Sequence, residues 1–166
     1  MSEREQSQAA QGGPSRRRGP VPTWSWARTP PARLVRSGIQ YGALVPLLKF
    51  IAPFTVIGKR HLAGLKGPAV FVANHQSHFD APVCLAALGG RVRRRLVVAA
   101  AADYFYSSAV KGAAASLALG TVPFVRSGGS SRESLQLLKD LVGKGWSVLI
   151  FPSGTRGTGT WVSTAR

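Results

Sequence analysis

Apolar residues along the chain fall into two alternating patterns, short continuous runs and longer stretches with helical spacing. The short runs, rich in β-branched and aromatic residues, predict buried strands at residues 54–57, 69–73, 96–101, 121–125 and 146–151. Between them lie predicted helices from Asp80 to Leu88, Tyr104 to Leu119 and Ser130 to Gly143. This alternation predicts an α/β fold, a sandwich in which helices cover the sheet.

The helix after the second run has well-marked ends. Ser77 and Asp80 have capping-box spacing, and Pro82 suits the first turn. The apolar run to Leu88 is followed by Gly89-Gly90, a typical stop signal. The turn between strand and helix therefore carries His75 and Asp80, five residues apart.

Residues 1–32 have a different composition, rich in Ser, Gln, Gly, Pro and Arg, without hydrophobic periodicity. Such a segment cannot bury enough apolar surface to offset its ordering entropy, which predicts a disordered basic tail. No apolar run follows its charges, so it does not have the pattern of a signal peptide. Trp24 and Trp26 beside Arg28 have the composition of an interfacial anchor, and an unstructured linker is the alternative.

An apolar stretch runs from Gly38 to Ile57, with Lys49 as its only charge. Pro46, Pro53 and the central lysine argue against a membrane span. Residues 33–53 instead predict an amphipathic helix in the membrane interface, with Arg33, Arg36 and Lys49 reaching lipid headgroups. The alternative is a helix that covers the domain's own sheet. The predicted apolar stripe comprises Leu34, Tyr41, Leu44, Val45 and Leu48.

The chain is strongly basic, with 22 Lys and Arg against 6 Asp and Glu, a net charge of +16. This charge predicts an anionic partner. An anionic membrane surface is favoured over nucleic acid, because basic residues flank apolar stretches and no nucleic-acid-binding module pattern is present. The single cysteine, Cys84, excludes an intrachain disulfide and is predicted to be a buried structural thiol in a reducing compartment.

His75 and Asp80 are the best candidates for catalysis. If the carboxylate accepts a hydrogen bond from one imidazole nitrogen, the other can take a proton from a bound hydroxyl. On this spacing alone, a structural interpretation is equally open: Asp80 caps the helix and His75 satisfies backbone groups.

Three blocks, in order, resemble those of the glycerolipid acyltransferase family, best known for the lysophosphatidic acid acyltransferases. The first is Asn74-His75 with Asp80, the second runs from Gly120 to Arg126, and the third is Phe151-Pro152-Ser153-Gly154-Thr155-Arg156. The third differs from the family's F-P-E-G-T-R at one position, where Ser153 replaces glutamate. The resemblance covers roughly residues 54–156 and implies an acyltransferase domain over 54–166 that is incomplete at its C-terminus.

The resemblance implies transfer of a fatty acyl group from acyl-CoA or acyl-carrier protein to a lysophospholipid hydroxyl, most simply that of 1-acylglycerol-3-phosphate, in phospholipid biosynthesis. His75 would be the base and Asp80 would orient it, with no metal and no cofactor beyond the thioester co-substrate. The resemblance also implies that the protein is peripheral or monotopic and lies at the cytoplasmic face of the cell membrane. The residues implied in binding the acceptor and the oxyanion are Arg126, Ser153, Gly154, Thr155, Arg156 and Asn74.

Two alternatives follow from the positions at which the chain departs from the family's pattern. Ser153 removes a carboxylate from the acceptor block, which suits an acyltransferase with another lipid acceptor. Together with the short C-terminus, it also suits a catalytically silent membrane-binding fragment.

Overall fold

A computed structural model of the chain describes residues 24–125 and 130–152. Its centre is a four-stranded, fully parallel sheet in the order β1-β4-β2-β3. Helices pack on the sheet, so the predicted α/β class is confirmed. The strands are β1 (Val70–Val72), β2 (Leu96–Ala101), β3 (Thr121–Phe124) and β4 (Ser147–Ile150).

The helices fall into an N-terminal group and a group that connects the strands. A 3-10 helix (Ser25–Arg28) comes first, and the helix that follows it changes to π geometry over Gln40–Leu44 between α1 and α2. The α-helices are α1 (Pro30–Ile39), α2 (Val45–Ile51), α3 (Arg60–Ala63), α4 (Asp80–Arg93), α5 (Ala102–Phe105), α6 (Ala109–Ala118) and α7 (Ser130–Gly143).

Neighbouring residues of β2 point to opposite faces of the sheet, and each face has its own core. On one face, Leu85 of α4 packs with Leu96 and Val98. On the other, Leu138 and Leu141 of α7 pack with Val97, together with Val122 and Val148 from the strands on either side. The central strands are apolar on both faces because each face is covered by a helix.

Two predicted elements need correction. Residues 54–57 are not a strand: the backbone from 53 to 58 has no regular structure, although the run is apolar. The helix predicted from Tyr104 to Leu119 is divided into α5 and α6 by the turn at 106–108. The predicted stop at Gly89-Gly90 is confirmed: Gly89 has a non-helical backbone with a positive φ of 73°, and the part of α4 beyond it, up to Arg93, is a second helical segment across a kink.

The N-terminal helices bury polar residues and expose apolar ones. Arg36, Gln40 and Leu48 are buried. The prediction that Arg36 reaches lipid headgroups is therefore wrong, and Leu48 belongs to the inner face. Within the described ranges, no helix has both the length and the apolar character that crossing a bilayer requires. The exposed apolar face comprises Leu34, Val35, Ile39, Leu47, Phe50 and Ile51.

Arg36 and Gln40 are buried because they cap the C-terminal end of α6. The Arg36 guanidinium donates to the carbonyl oxygens of Ser116 (2.9 Å) and Leu117 (3.0 Å), and also to that of Ala27. The Gln40 amide donates to the carbonyl of Ala118 at 2.8 Å. These carbonyls have no partner within their helix, and a cation is favoured at this end of the helix dipole. Burial, followed by the charges of Arg33 and Arg28, lowers the pKa of Arg36 to about 10.

The part of the predicted disordered tail from residue 24 onward is folded, and residues 1–23 lie outside the described ranges. The Trp24 and Tyr106 ring centroids are 6.0 Å apart, and both rings cover Gly112 of α6. The Tyr106 hydroxyl is hydrogen-bonded to Ser116 Oγ (3.0 Å) and Thr121 Oγ1 (2.9 Å). Trp24 is therefore part of the folded domain, and the linker interpretation is wrong for it.

Replacing Gly112 with alanine should destabilise the fold. A Cβ there would lie 2.8 Å from Tyr106 Cδ1 and 3.0 Å from Trp24 Cζ2, closer than carbon atoms pack. We expect Gly112→Ala to lower the free energy of unfolding by about 1–2 kcal/mol, since overpacking outweighs the gain in helix propensity. Urea unfolding, monitored by circular dichroism, measures this change in the free energy of unfolding.

Gly38→Ala is the matched control, because a Cβ at Gly38 meets nothing within 4 Å. It should leave stability unchanged or raise it by up to about 1 kcal/mol. Equal effects of the two substitutions would contradict the packing described for Trp24 and Tyr106.

Candidate active site

The turn that follows β1 is organised by the Asp80 carboxylate. Asp80 Oδ2 accepts hydrogen bonds from the backbone N–H groups of Gln76 (2.6 Å) and Ser77 (2.8 Å). Ser77 Oγ accepts from the backbone N–H of Phe79 at 3.2 Å. The hydrogen bonds to Asp80 fix the carboxylate at the start of α4. The predicted capping box is only half formed, because Ser77 Oγ accepts from Phe79 and not from Asp80, and the residue at the N-cap position is Phe79.

The same oxygen faces His75. His75 Nδ1 lies 3.3 Å from Asp80 Oδ2, and the two side chains are 25% and 28% exposed. This distance is slightly beyond the usual range for an N–H···O hydrogen bond, and Nδ1 has no aligned hydrogen-bond partner among the described residues. Catalytic hydrogen bonds are commonly long in unliganded sites.

Phe151 forms one wall of the site. Its ring centroid lies 4.7 Å from that of His75, with the rings tilted by 40°. Phe151 follows β4, which pairs directly with β1, and the Ala73 N–H donates to the Ile150 carbonyl at 3.1 Å to extend that pairing. This contact has no signal in the sequence, because it depends on β1 and β4 being neighbours.

Further exposed aromatic side chains lie in and beside the turn that follows His75. The rings of His78 and Tyr104 are stacked, with centroids 5.7 Å apart, and Phe79 and Tyr104 are both more than half exposed. Tyr104 lies in α5, directly after β2. The carboxyl ends of three strands therefore contribute residues to one region of the surface.

The structure places only some of the predicted site residues. His75 and Asp80 are together, and Asn74 is exposed immediately before His75. The others, Arg126, Ser153, Gly154, Thr155 and Arg156, lie outside the described residues. In residues 24–125 and 130–152, no group of three or more His, Cys, Asp or Glu side chains could bind a metal ion.

Cys84 lies one turn of α4 beyond Asp80 and is half-buried against the core. Burial, with a smaller contribution from the Asp80 charge, raises the pKa of its thiol. A raised pKa keeps the group protonated near neutral pH, whereas a nucleophile must be a thiolate. This environment agrees with the predicted structural role.

We expect Cys84 to react more slowly with iodoacetamide at pH 8 in the folded protein than in denaturant, because both burial and the raised pKa reduce the accessible thiolate. Mass spectrometry of the alkylated protein over time gives both rates. In Asp80→Asn the reaction should be faster than in the wild type, since the charge that raises the pKa is lost. An unchanged rate in that variant would show that Asp80 does not influence the thiol.

Comparison with known protein families identifies a match for most of the chain. A family model described as "Acyltransferase" matches residues 53–164, more than half of the chain. No curated protein and no solved structure matches.

Proposed function

The chain belongs to the acyltransferase family, and from that premise we propose that it transfers a fatty acyl group from a thioester to the hydroxyl of a lysophospholipid. The acceptor we assign is 1-acylglycerol-3-phosphate, which would place the enzyme in phospholipid biosynthesis. The donor is acyl-CoA or acyl-carrier protein. The observation that supports this most strongly is the placement of His75 against Asp80 at the carboxyl edge of the sheet, inside the matched region.

The proposed mechanism depends on which imidazole nitrogen of His75 faces the Asp80 carboxylate. Nδ1 faces Asp80, so Nε2 is the nitrogen that can accept the acceptor's hydroxyl proton. As that proton leaves, the oxygen attacks the thioester carbonyl, and Asp80 stabilises the imidazolium. The C–S bond then breaks, and the leaving thiolate takes the proton from Nε2. The products are an ester and a free thiol.

The remaining predicted residues complete the proposal. Arg126 and Arg156 would bind the acceptor phosphate through charge-assisted hydrogen bonds, beside Ser153, Gly154 and Thr155. Asn74 would donate to the oxyanion. Phe151 would hold the imidazole plane by packing against it.

The acceptor can be tested with a panel of lysolipids that differ only in headgroup, using radiolabelled oleoyl-CoA and separating the products by thin-layer chromatography. We expect the phosphate monoester to give the highest kcat/KM. Preference for a glycolipid or a choline headgroup would support the alternative acceptor that Ser153 suggests.

We also propose that the protein works at the cytoplasmic face of the cell membrane, held on an anionic surface as a peripheral or monotopic protein. The support is the outward apolar face of α1 and α2, on which Leu47 is 57% and Phe50 83% exposed. Such a face is stabilised by insertion at a lipid interface, and the net charge of +16 attracts anionic lipid.

The double substitution Leu47→Gln with Phe50→Gln should weaken binding to anionic vesicles by about tenfold or more, because two large apolar side chains no longer enter the interface. Val110→Gln with Leu135→Gln is the matched control, since those side chains are also exposed but lie on α6 and α7. Sedimentation with vesicles measures both. Equal loss in the two double variants would show that α2 is not the contacting surface.

A further inference from the structure

We propose that a cavity between the N-terminal helices and the kinked end of α4 binds the phosphate headgroup of a membrane lipid, at a site separate from the catalytic pair. The cavity has a volume of about 330 Å³, within the range of small-ligand pockets. Val45, Phe54 and Val56 give it an apolar wall, and Lys49, Lys59 and Arg93 give it positive charge.

Arg93 is the centre of the site. Its side chain is 4% exposed and lines the cavity, stacked over the Tyr41 ring at 4.3 Å. Only Nη1 has a hydrogen-bond acceptor among the described residues, the Leu85 carbonyl at 3.2 Å, and no described carboxylate lies within 4.0 Å of the guanidinium. None of its other nitrogens is among the described polar atoms that are buried without a partner, so these donors reach the solvent of the cavity and are accessible to an anion.

The backbone makes room for this arrangement. Gly89 bends α4 through its positive φ, and the next residue, Gly90, lies so close to Tyr41 that a Cβ would overlap the phenol oxygen. The glycine pair therefore lets the Tyr41 ring lie against the helix and under Arg93. The cavity depends on two consecutive residues without side chains.

The cavity is distinct from the catalytic site. Gly89 is nine residues along α4 from Asp80, which corresponds to roughly 13 Å of helix. Neither His75 nor Asp80 lines the cavity. Binding here therefore needs no turnover and can be measured whether or not the protein transfers acyl groups.

The surroundings favour a lipid over a free phosphate ion. Tyr41, Val45 and Lys49 line the cavity from the same N-terminal helices that carry the exposed side chains of Leu47 and Phe50, so the cavity and the apolar face belong to one structural unit. A headgroup in the cavity would place its acyl chains beside that face. A free phosphate would leave the apolar wall without a partner.

The test is calorimetric titration of the full chain with dihexanoyl phosphatidic acid, a soluble amphiphile, against glycerol 3-phosphate and dihexanoyl phosphatidylcholine. The main variant is Lys49→Gln with Lys59→Gln, both exposed at the mouth. The matched control is Lys139→Gln with Lys144→Gln, which makes the same charge change on exposed lysines at α7 and the turn after it. Arg93→Gln is a second variant, used where circular dichroism shows that it folds.

We expect the Lys49 and Lys59 pair to weaken phosphatidic acid binding by about tenfold, and the control pair by less than about twofold. Arg93→Gln should weaken it further. Equal loss in both lysine pairs would overturn the site in favour of general attraction to a basic protein. Glycerol 3-phosphate binding as tightly as phosphatidic acid would overturn the lipid assignment, and no binding by the wild type would overturn the proposal outright.

Discussion

His75→Ala is expected to lower the rate of acyl transfer by about two to four orders of magnitude, the range that a positioned general base contributes. The imidazole is the only described side chain that is paired with Asp80 and accessible to a bound hydroxyl. Its removal should leave the fold intact, because His75 is partly exposed and makes no backbone hydrogen bond among those described. Initial rates with oleoyl-CoA and a lysolipid measure the effect.

His61→Ala is the matched control, an exposed histidine on α3 that lies away from the catalytic turn. It should retain wild-type turnover. If His75→Ala also retained it, the general-base role would be wrong and the His75–Asp80 contact would be structural only. Unfolding midpoints of both variants separate loss of catalysis from loss of folding.

Arg36→Ala is expected to lower the free energy of unfolding by about 3–5 kcal/mol. The substitution removes the donor to three buried carbonyls, two of them at the C-terminal end of α6, and leaves a cavity the size of a long side chain. Because Arg36 lies on α1, its loss should also release the N-terminal helices from the sheet domain. Urea unfolding followed by circular dichroism measures the stability.

Arg33→Ala provides the comparison. Arg33 is less buried, donates to a single carbonyl, that of Arg94 at 3.2 Å, and lies 5.4 Å from the Trp146 ring centroid. Its loss should cost about 1 kcal/mol. If Arg36→Ala cost no more than Arg33→Ala, the buried guanidinium would not be what attaches α1 to α6.

The elements that the sequence predicted well are those with local determinants. The run at 96–101 forms β2 with the same bounds, because a short β-branched stretch between charged and polar residues can only be buried. Helix α7 has the predicted bounds, Ser130–Gly143. The prediction of a strand at 54–57 was wrong because an apolar composition does not show whether a run pairs with the sheet, and this run stays unpaired although β1 and β3 are edge strands.

The sequence pattern does not show which face of the N-terminal helices is buried. Arg36 and Gln40 are four residues apart on one stripe and both are buried, whereas an arginine beside an apolar stretch predicted contact with lipid headgroups. Their actual partners are the carbonyls at the end of α6, a helix that lies some eighty residues further along the chain. Sequence periodicity cannot show such a partner.

The catalytic turn also combines local contacts, which the sequence can predict, with contacts that depend on the strand order, which it cannot. The proximity of His75 and Asp80 was predicted, because it is local: Asp80 accepts hydrogen bonds from the backbone of the turn that immediately follows His75. The packing of Phe151 on His75 depends on the strand order, which places β4 beside β1. The stacking of His78 on Tyr104 depends on where the chain turns after β2.

The most direct test of acyl transfer is to incubate the wild-type chain with radiolabelled oleoyl-CoA and 1-oleoylglycerol 3-phosphate on phosphatidylcholine vesicles, and to measure labelled phosphatidic acid and free thiol together. Acyl transfer predicts that both products form at equal rates and only when acceptor is present. Thiol release without labelled lipid, or no product from a protein whose circular dichroism shows it to be folded, would contradict the proposed function.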